Sequence, residues 1–196
     1  MSIAFTYYRL SPVTREQVTR DELSWEEFRQ GVQDAYFKSF HSALAALPAQ
    51  ATQEEKLGKF TAVLEESHDP KRFDMEKDWH TVAYLLTGES EISEVHREGD
   101  SLHNVILGGI ATSVKTGYGP VRYFDEKLVN ESAEAFRSFD RQLIVKRFNP
   151  ERMAELHIYA SPDAGEREGF FRLVERFANF FYEAASAKEN VIKFAT

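Results

Sequence analysis

The groups best able to do chemistry in this chain gather in Gly117-Tyr118-Gly119-Pro120-Val121-Arg122-Tyr123-Phe124. Gly117 and Gly119 allow positive φ or close backbone approach, and Pro120 holds the residue before it extended. In the strand that follows, Val121 and Tyr123 point one way and Arg122 the other. An arginine facing a cleft can fork onto a carboxylate or phosphate, with Tyr118 and Tyr123 as the walls. The more frequent use of such residues is structural, a tight turn whose arginine pairs with an internal acid. Trp79 and His80 form a second group. An indole beside a titratable imidazole can stack a planar ligand or supply a general base. A base needs an orienting partner, however, and the sequence forces none. Tryptophan on an apolar helix face is more often core, and a helix histidine more often structural.

Other chemistry finds less support. Gly109-Ile110-Ala111-Thr112-Ser113-Val114-Lys115-Thr116 resembles a phosphate-binding loop but places Val114 where glycine must precede Lys-Thr. A branched side chain resists that conformation. His41, His68, His80, His96, His103 and His157 show neither His-x-x-x-His nor His-Glu-x-x-His spacing. There is no Gly-x-Ser-x-Gly elbow. Cysteine is absent, which removes disulfides, thiolate metal sites and a cysteine nucleophile. No catalytic residue, metal site or cofactor is therefore expected. The candidate ligand contacts are Trp79, His80, Tyr118, Arg122 and Tyr123.

These residues have to be positioned by a chain of 196 residues, enough for one domain with a substantial core. Sixteen phenylalanines predict an aromatic interior. With 32 acidic against 24 basic side chains the net charge is -8. That charge disfavours nucleic acid and favours a basic protein partner, although solubility alone also explains it. The longest uncharged run, Ser39 to Gln53, is too short and polar to span a bilayer. Met1 to Pro12 lacks the apolar run of a signal peptide, so a cytoplasmic location is expected.

Ile3, Phe5 and Tyr7 alternate with small or polar neighbours and predict a strand. Ser11-Pro12 predicts a short helix, as does the capping box Ser24-Trp25-Glu26-Glu27 before a stripe from Phe28 to Leu47. Pro48 ends that helix, and Thr52 to Glu55 starts another. Asp74 to Thr87 reads as a helix stopped by Gly88, and Leu102 to Leu107 as a short one stopped by Gly108-Gly109. Between them, Glu89 to Asp100 is an acidic surface loop. Asp125 caps a helix to about Phe139 with Leu128, Ala135, Phe136 and Phe139 inward. Leu143, Ile144 and Phe148 continue it. Leu156 to Tyr159 is expected as a strand and Ser161 to Gly165 as a turn. A helix over Glu166 to Lys188 carries Phe170, Leu173, Phe177, Phe181 and Ala184 inward, before a strand through Val191, Ile192 and Phe194. The whole is an α+β single domain, several helices around a small mixed sheet.

The chain resembles the YfbM-like family, small bacterial proteins whose domain has no known function. The resemblance rests on Met1 to Pro12, Lys77-Asp78-Trp79-His80 through Tyr84-Leu85-Leu86-Thr87-Gly88, Leu107-Gly108-Gly109 and Gly117 to Tyr123. It continues in Phe148-Asn149-Pro150 with Met153, Ile158-Tyr159, and Phe181-Tyr182-x-Ala184-Ala185. Residues 20–73 match poorly and are read as a helical embellishment. Many relatives carry a second histidine where this chain has Ala83, which puts any histidine-pair function in doubt here. The resemblance implies an α+β fold and a bacterial origin, and no reaction. Two functional readings remain. One is a non-catalytic protein- or ligand-binding domain, of inhibitor or immunity type. The other is an enzyme or small-anion-binding module with a pocket between the Trp79 helix and the Gly117–Tyr123 strand.

Overall fold

The structure is a computed structural model that describes residues 3–11, 71–91, 95–116, 118–159 and 162–195, with 112–116 as backbone only. Contacts group the chain into two compact units, Met1–Pro12 with Lys71–Thr196, and Val13–Pro70. Every element below belongs to the first. The helices expected at Ser11-Pro12, after Ser24 and after Thr52 lie outside the described residues.

In chain order the elements are β1 (Phe5–Leu10), β2 (Arg72–Glu76), α1 (Trp79–Thr87), α2 (Ser101–Leu107), β3 (Ile110–Thr116) and β4 (Gly119–Phe124). Then come α3 (Glu126–Ser138), α4 (Gln142–Arg147), α5 (Pro150–Glu155), a 3-10 turn (Ala164–Glu166), α6 (Arg167–Ser186) and β5 (Asn190–Ala195). The strands form one sheet in the order β2-β1-β5-β4-β3. Every pair is antiparallel, where a mixed sheet is expected from the sequence, because no crossover of the parallel kind joins neighbours. The α+β class stands.

Three local expectations change. Asp74 to Thr87 is not one helix: Phe73 and Met75 alternate as buried residues of β2, and α1 begins only at Trp79. Leu156 to Tyr159 is no strand but the turn that ends α5, with His157 at φ 55. α5 itself comes from Asn149-Pro150, whose asparagine side chain accepts from the Arg152 amide while proline fills the first helical position. In α3 the buried stripe is Val129, Ser132, Ala133 and Phe136, so Leu128, Ala135 and Phe139 sit at its margin.

Both faces of the sheet are buried. Phe5, Tyr7, Phe124 and Val191 face one side, and Tyr8, Leu10, Val121, Ile192 and Phe194 the other. On the first side α6 presents Phe170, Val174, Phe177, Phe181 and Ala184, with Leu173 only partly covered. Phe177 sits 4.9 Å from the Tyr7 ring, 4.9 Å from Phe73 and 5.3 Å from Phe181, in edge-to-face or tilted pairs.

α1 stops where the sequence says it should. Gly88 adopts φ 80 and returns its amide to the Tyr84 carbonyl. A Cβ there would also meet Arg147 Nε at 3.1 Å. That arginine donates to the Leu85 and Leu86 carbonyls, closing the end of the helix. Gly88→Ala is therefore expected to cost about 1–3 kcal/mol of stability, measurable by urea unfolding.

Candidate functional site

The row of side chains that contains Arg122 can be built from the strand register. Tyr7 lies opposite Lys193, and Lys193 opposite Arg122, so the three stand side by side across β1, β5 and β4. α2 ends just above them. Its last carbonyls have no partner within the helix and need donors from elsewhere. Tyr7 donates its hydroxyl to the Val105 carbonyl at 3.2 Å, Lys193 its ammonium to Ile106 at 2.5 Å, and Arg122 a guanidinium N–H to Gly109 at 3.2 Å. Two cations at a helix C-terminus also match the sign of its dipole. The Lys193 ammonium lies 4.5 Å from the centre of the Phe5 ring, which compensates part of its lost hydration. Arg122 is 7% exposed and Lys193 1% exposed, so both are interior groups. Gly109, at φ 93, keeps this approach open, since a Cβ there would meet the Phe124 ring at 2.9 Å. The segment read as a near miss to a phosphate loop is β3, at one edge of the sheet.

His80 is fixed by two backbone groups whose roles chemistry dictates. The Tyr159 amide donates to Nδ1 at 2.9 Å, so Nδ1 carries a lone pair. Nε2 lies 3.0 Å from the Ser90 carbonyl, an obligate acceptor, so Nε2 carries the proton. The ring is neutral in this arrangement and stacks on Trp79 at 5.3 Å. Burial lowers its pKa from 6.5, and the Ser90 carbonyl offsets that only in part.

Trp79 packs on Phe5 at 4.7 Å and donates its indole N–H to the Ile3 carbonyl. Tyr118 is half-buried against the core. The hydroxyl of Tyr123 meets the buried Asn190 amide. Trp79 and His80 are thus brought together, whereas Arg122 and Tyr123, adjacent on β4, point to opposite faces of the sheet. The two polar groups, however, serve different parts of the fold: His80 binds Ser90 and Tyr159, and Arg122 binds Gly109.

Sequence reasoning passed over several buried polar residues. Tyr7 and Lys193 left only a weak signal, a lysine between the apolar residues of a strand. Glu189, 6% exposed, holds Arg9 at 2.7 Å and Lys71 at 3.3 Å. Arg9 also meets Glu183 at 2.5 Å. An open depression of about 450 Å³ lies here, lined by Arg9, Tyr182, Glu183, Ser186 and Ala187. Among the described residues no group of three histidines or carboxylates is placed to hold a metal ion, and no helix is long and apolar enough to cross a membrane.

Asp78, at the start of α1, has its pKa raised from 3.8 by burial, then by the charges of Glu76 and Glu166. The folded chain therefore holds this proton more tightly than the unfolded chain. Stability is lost as pH rises from 3.8 through the raised value, and the cost is fully present above it. Asp78→Asn is expected to stabilise the protein at pH 7 by about 0.2–1 kcal/mol, with the gain vanishing below about pH 4. Thermal unfolding at the two pH values checks this.

The class defined by this geometry is an α+β domain with an antiparallel five-stranded sheet and an aromatic helical layer. A model of a domain of unknown function, DUF1877, matches residues 1–194, and the chain belongs to that family. The fold is similar to that of a protein of unknown function, YfbM from Escherichia coli, in its crystal structure. The two share 16% identity at a TM-score of 0.57, covering 98% of this chain and 99% of that one. No curated protein matches the chain.

Proposed function

We propose that this is a non-catalytic binding domain of a cytoplasmic bacterial protein, acting on a basic protein partner as an inhibitor or immunity protein does. The observation that supports this reading is how its reactive side chains are used. His80 spends both nitrogens on backbone groups, while Tyr7 and Lys193 donate to carbonyls in the last turn of α2 and Arg122 to the Gly109 carbonyl just after it. The burial of Arg122 weighs against its holding a soluble anion in a cleft. What the protein offers its surroundings is a net charge of -8, with the carboxylates of Glu76 and Glu166 close enough to act on Asp78. Such a field speeds encounter with a cationic surface and is screened by salt.

The test is affinity capture from bacterial extract at low salt and at about 0.5 M salt, with a Glu76→Lys/Asp78→Lys/Glu166→Lys variant alongside. A basic protein retained by the native chain at low salt, released at high salt and lost by the variant is the expected result. Equal retention by the variant, or retention indifferent to salt, would sink the reading.

A further inference from the structure

His80 joins three separate pieces of backbone. It stands on α1, donates to Ser90 in the segment after that helix, and accepts from Tyr159 in the turn after α5. The separation of 79 positions from His80 to Tyr159 makes the second bond a tertiary tie rather than a local one. Thr81 also reaches that turn, but weakly, with its hydroxyl 3.5 Å from the Tyr159 carbonyl. We propose that His80 is a proton-operated latch, closed when its ring is neutral, whose protonation releases the turn Leu156–Tyr159 from α1 while leaving the Ser90 contact in place.

The asymmetry follows from the two partners. A proton arriving at Nδ1 meets the Tyr159 amide head-on, donor against donor, and that bond is lost. Nε2–H is unchanged and binds the Ser90 carbonyl at least as strongly once the ring is charged. The ionisable groups on the packed segments are Asp78 at the start of α1 and the Tyr84 phenol within it, Glu89 and Glu91 on either side of Ser90, and His157 and the Tyr159 phenol on the turn. None of them contributes to the lowered pKa of His80, which burial dominates. Because the folded-state value is depressed, the latch's contribution to stability is complete above pH 6.5 and is lost as pH falls below it. The released turn carries Tyr159 at its surface, 36% exposed, and Ile158, buried at 3%. Acid therefore frees a short aromatic segment.

Amide exchange at single-residue resolution tests this, corrected for the intrinsic pH dependence of exchange. Between about pH 7.5 and pH 5, protection of the Tyr159 amide is expected to fall about tenfold or more, while amides in the middle of α6 hold theirs. His80→Asn offers an acceptor that does not titrate, and should flatten the Tyr159 response. Nitrogen shifts of the His80 ring give a second readout, which does not depend on the variant folding: a bare Nδ1 at neutral pH that gains a proton as Tyr159 protection falls. Tyr159 and α6 losing protection in parallel would overturn the proposal. So would a His80 ring protonated at Nδ1 at neutral pH.

Discussion

Phe177→Ala is expected to lower the unfolding free energy by about 3–5 kcal/mol, the range for deleting a fully buried aromatic ring. The residue is 0% exposed and touches rings from three other elements: Tyr7 on β1, Phe73 on β2 and Phe136 on α3. Its loss leaves a cavity at the point where sheet and helices meet, with flanking rings too large to collapse into it. Phe171, six positions earlier on the same helix, is the control. It is partly exposed, beneath the Arg167 guanidinium at 5.3 Å, and its truncation should cost under about 1 kcal/mol. Urea midpoints for the two variants decide the matter. Equal losses would mean that the buried face of α6 is wrongly placed.

Arg122→Ala carries the second large effect, a loss of about 2–4 kcal/mol. Removal of the guanidinium leaves the Gly109 carbonyl without that donor, at about 1–3 kcal/mol, and the buried stem adds lost packing. The experiment also separates the two readings of this residue. An arginine that fastens the sheet to the end of α2 lowers the melting temperature whatever else is in solution. One poised for an anion leaves stability nearly unchanged and is itself stabilised by phosphate or sulfate. A melting temperature within error of the native chain would contradict the fastening role.

Where the sequence was legible, one local rule acted alone. Asp125 capping α3, Gly88 closing α1 and the phenylalanines of α6 each follow from a single period or a single terminal residue, and the family was visible in short motifs. Legibility failed where two signals overlapped. Phe73 and Met75 alternate with period two, but they run directly into the helical period of α1, and a five-residue strand is too short to separate itself from that pattern. Asn149-Pro150 was a readable helix start whose helix lasts only 6 residues, so its apolar face is the single buried Met153. The donor row of Tyr7, Lys193 and Arg122 could not be read at all. It depends on which strands are neighbours, and strand order is a property of the whole sheet. His80 was visible as a candidate, but its partners, Ser90 and Tyr159, contribute only backbone atoms, which no side-chain pattern reveals.

The sheet order has a consequence for how this molecule is made. β1 and β5 are hydrogen-bonded neighbours in the middle of the sheet, yet Phe5 pairs with Ala195. During synthesis the first strand leaves the ribosome long before its central neighbour exists. Until then, among the described strands, β1 has only β2 to pair with and the β3–β4 hairpin has none to join. Contacts of such sequence separation slow folding, because the loop must close before the pairing rewards it. Assembly of this sheet is therefore expected to be late, completed only by the arrival of residues 190–195. Ribosome-bound chains stalled before Asn190 should remain protease-sensitive throughout β1.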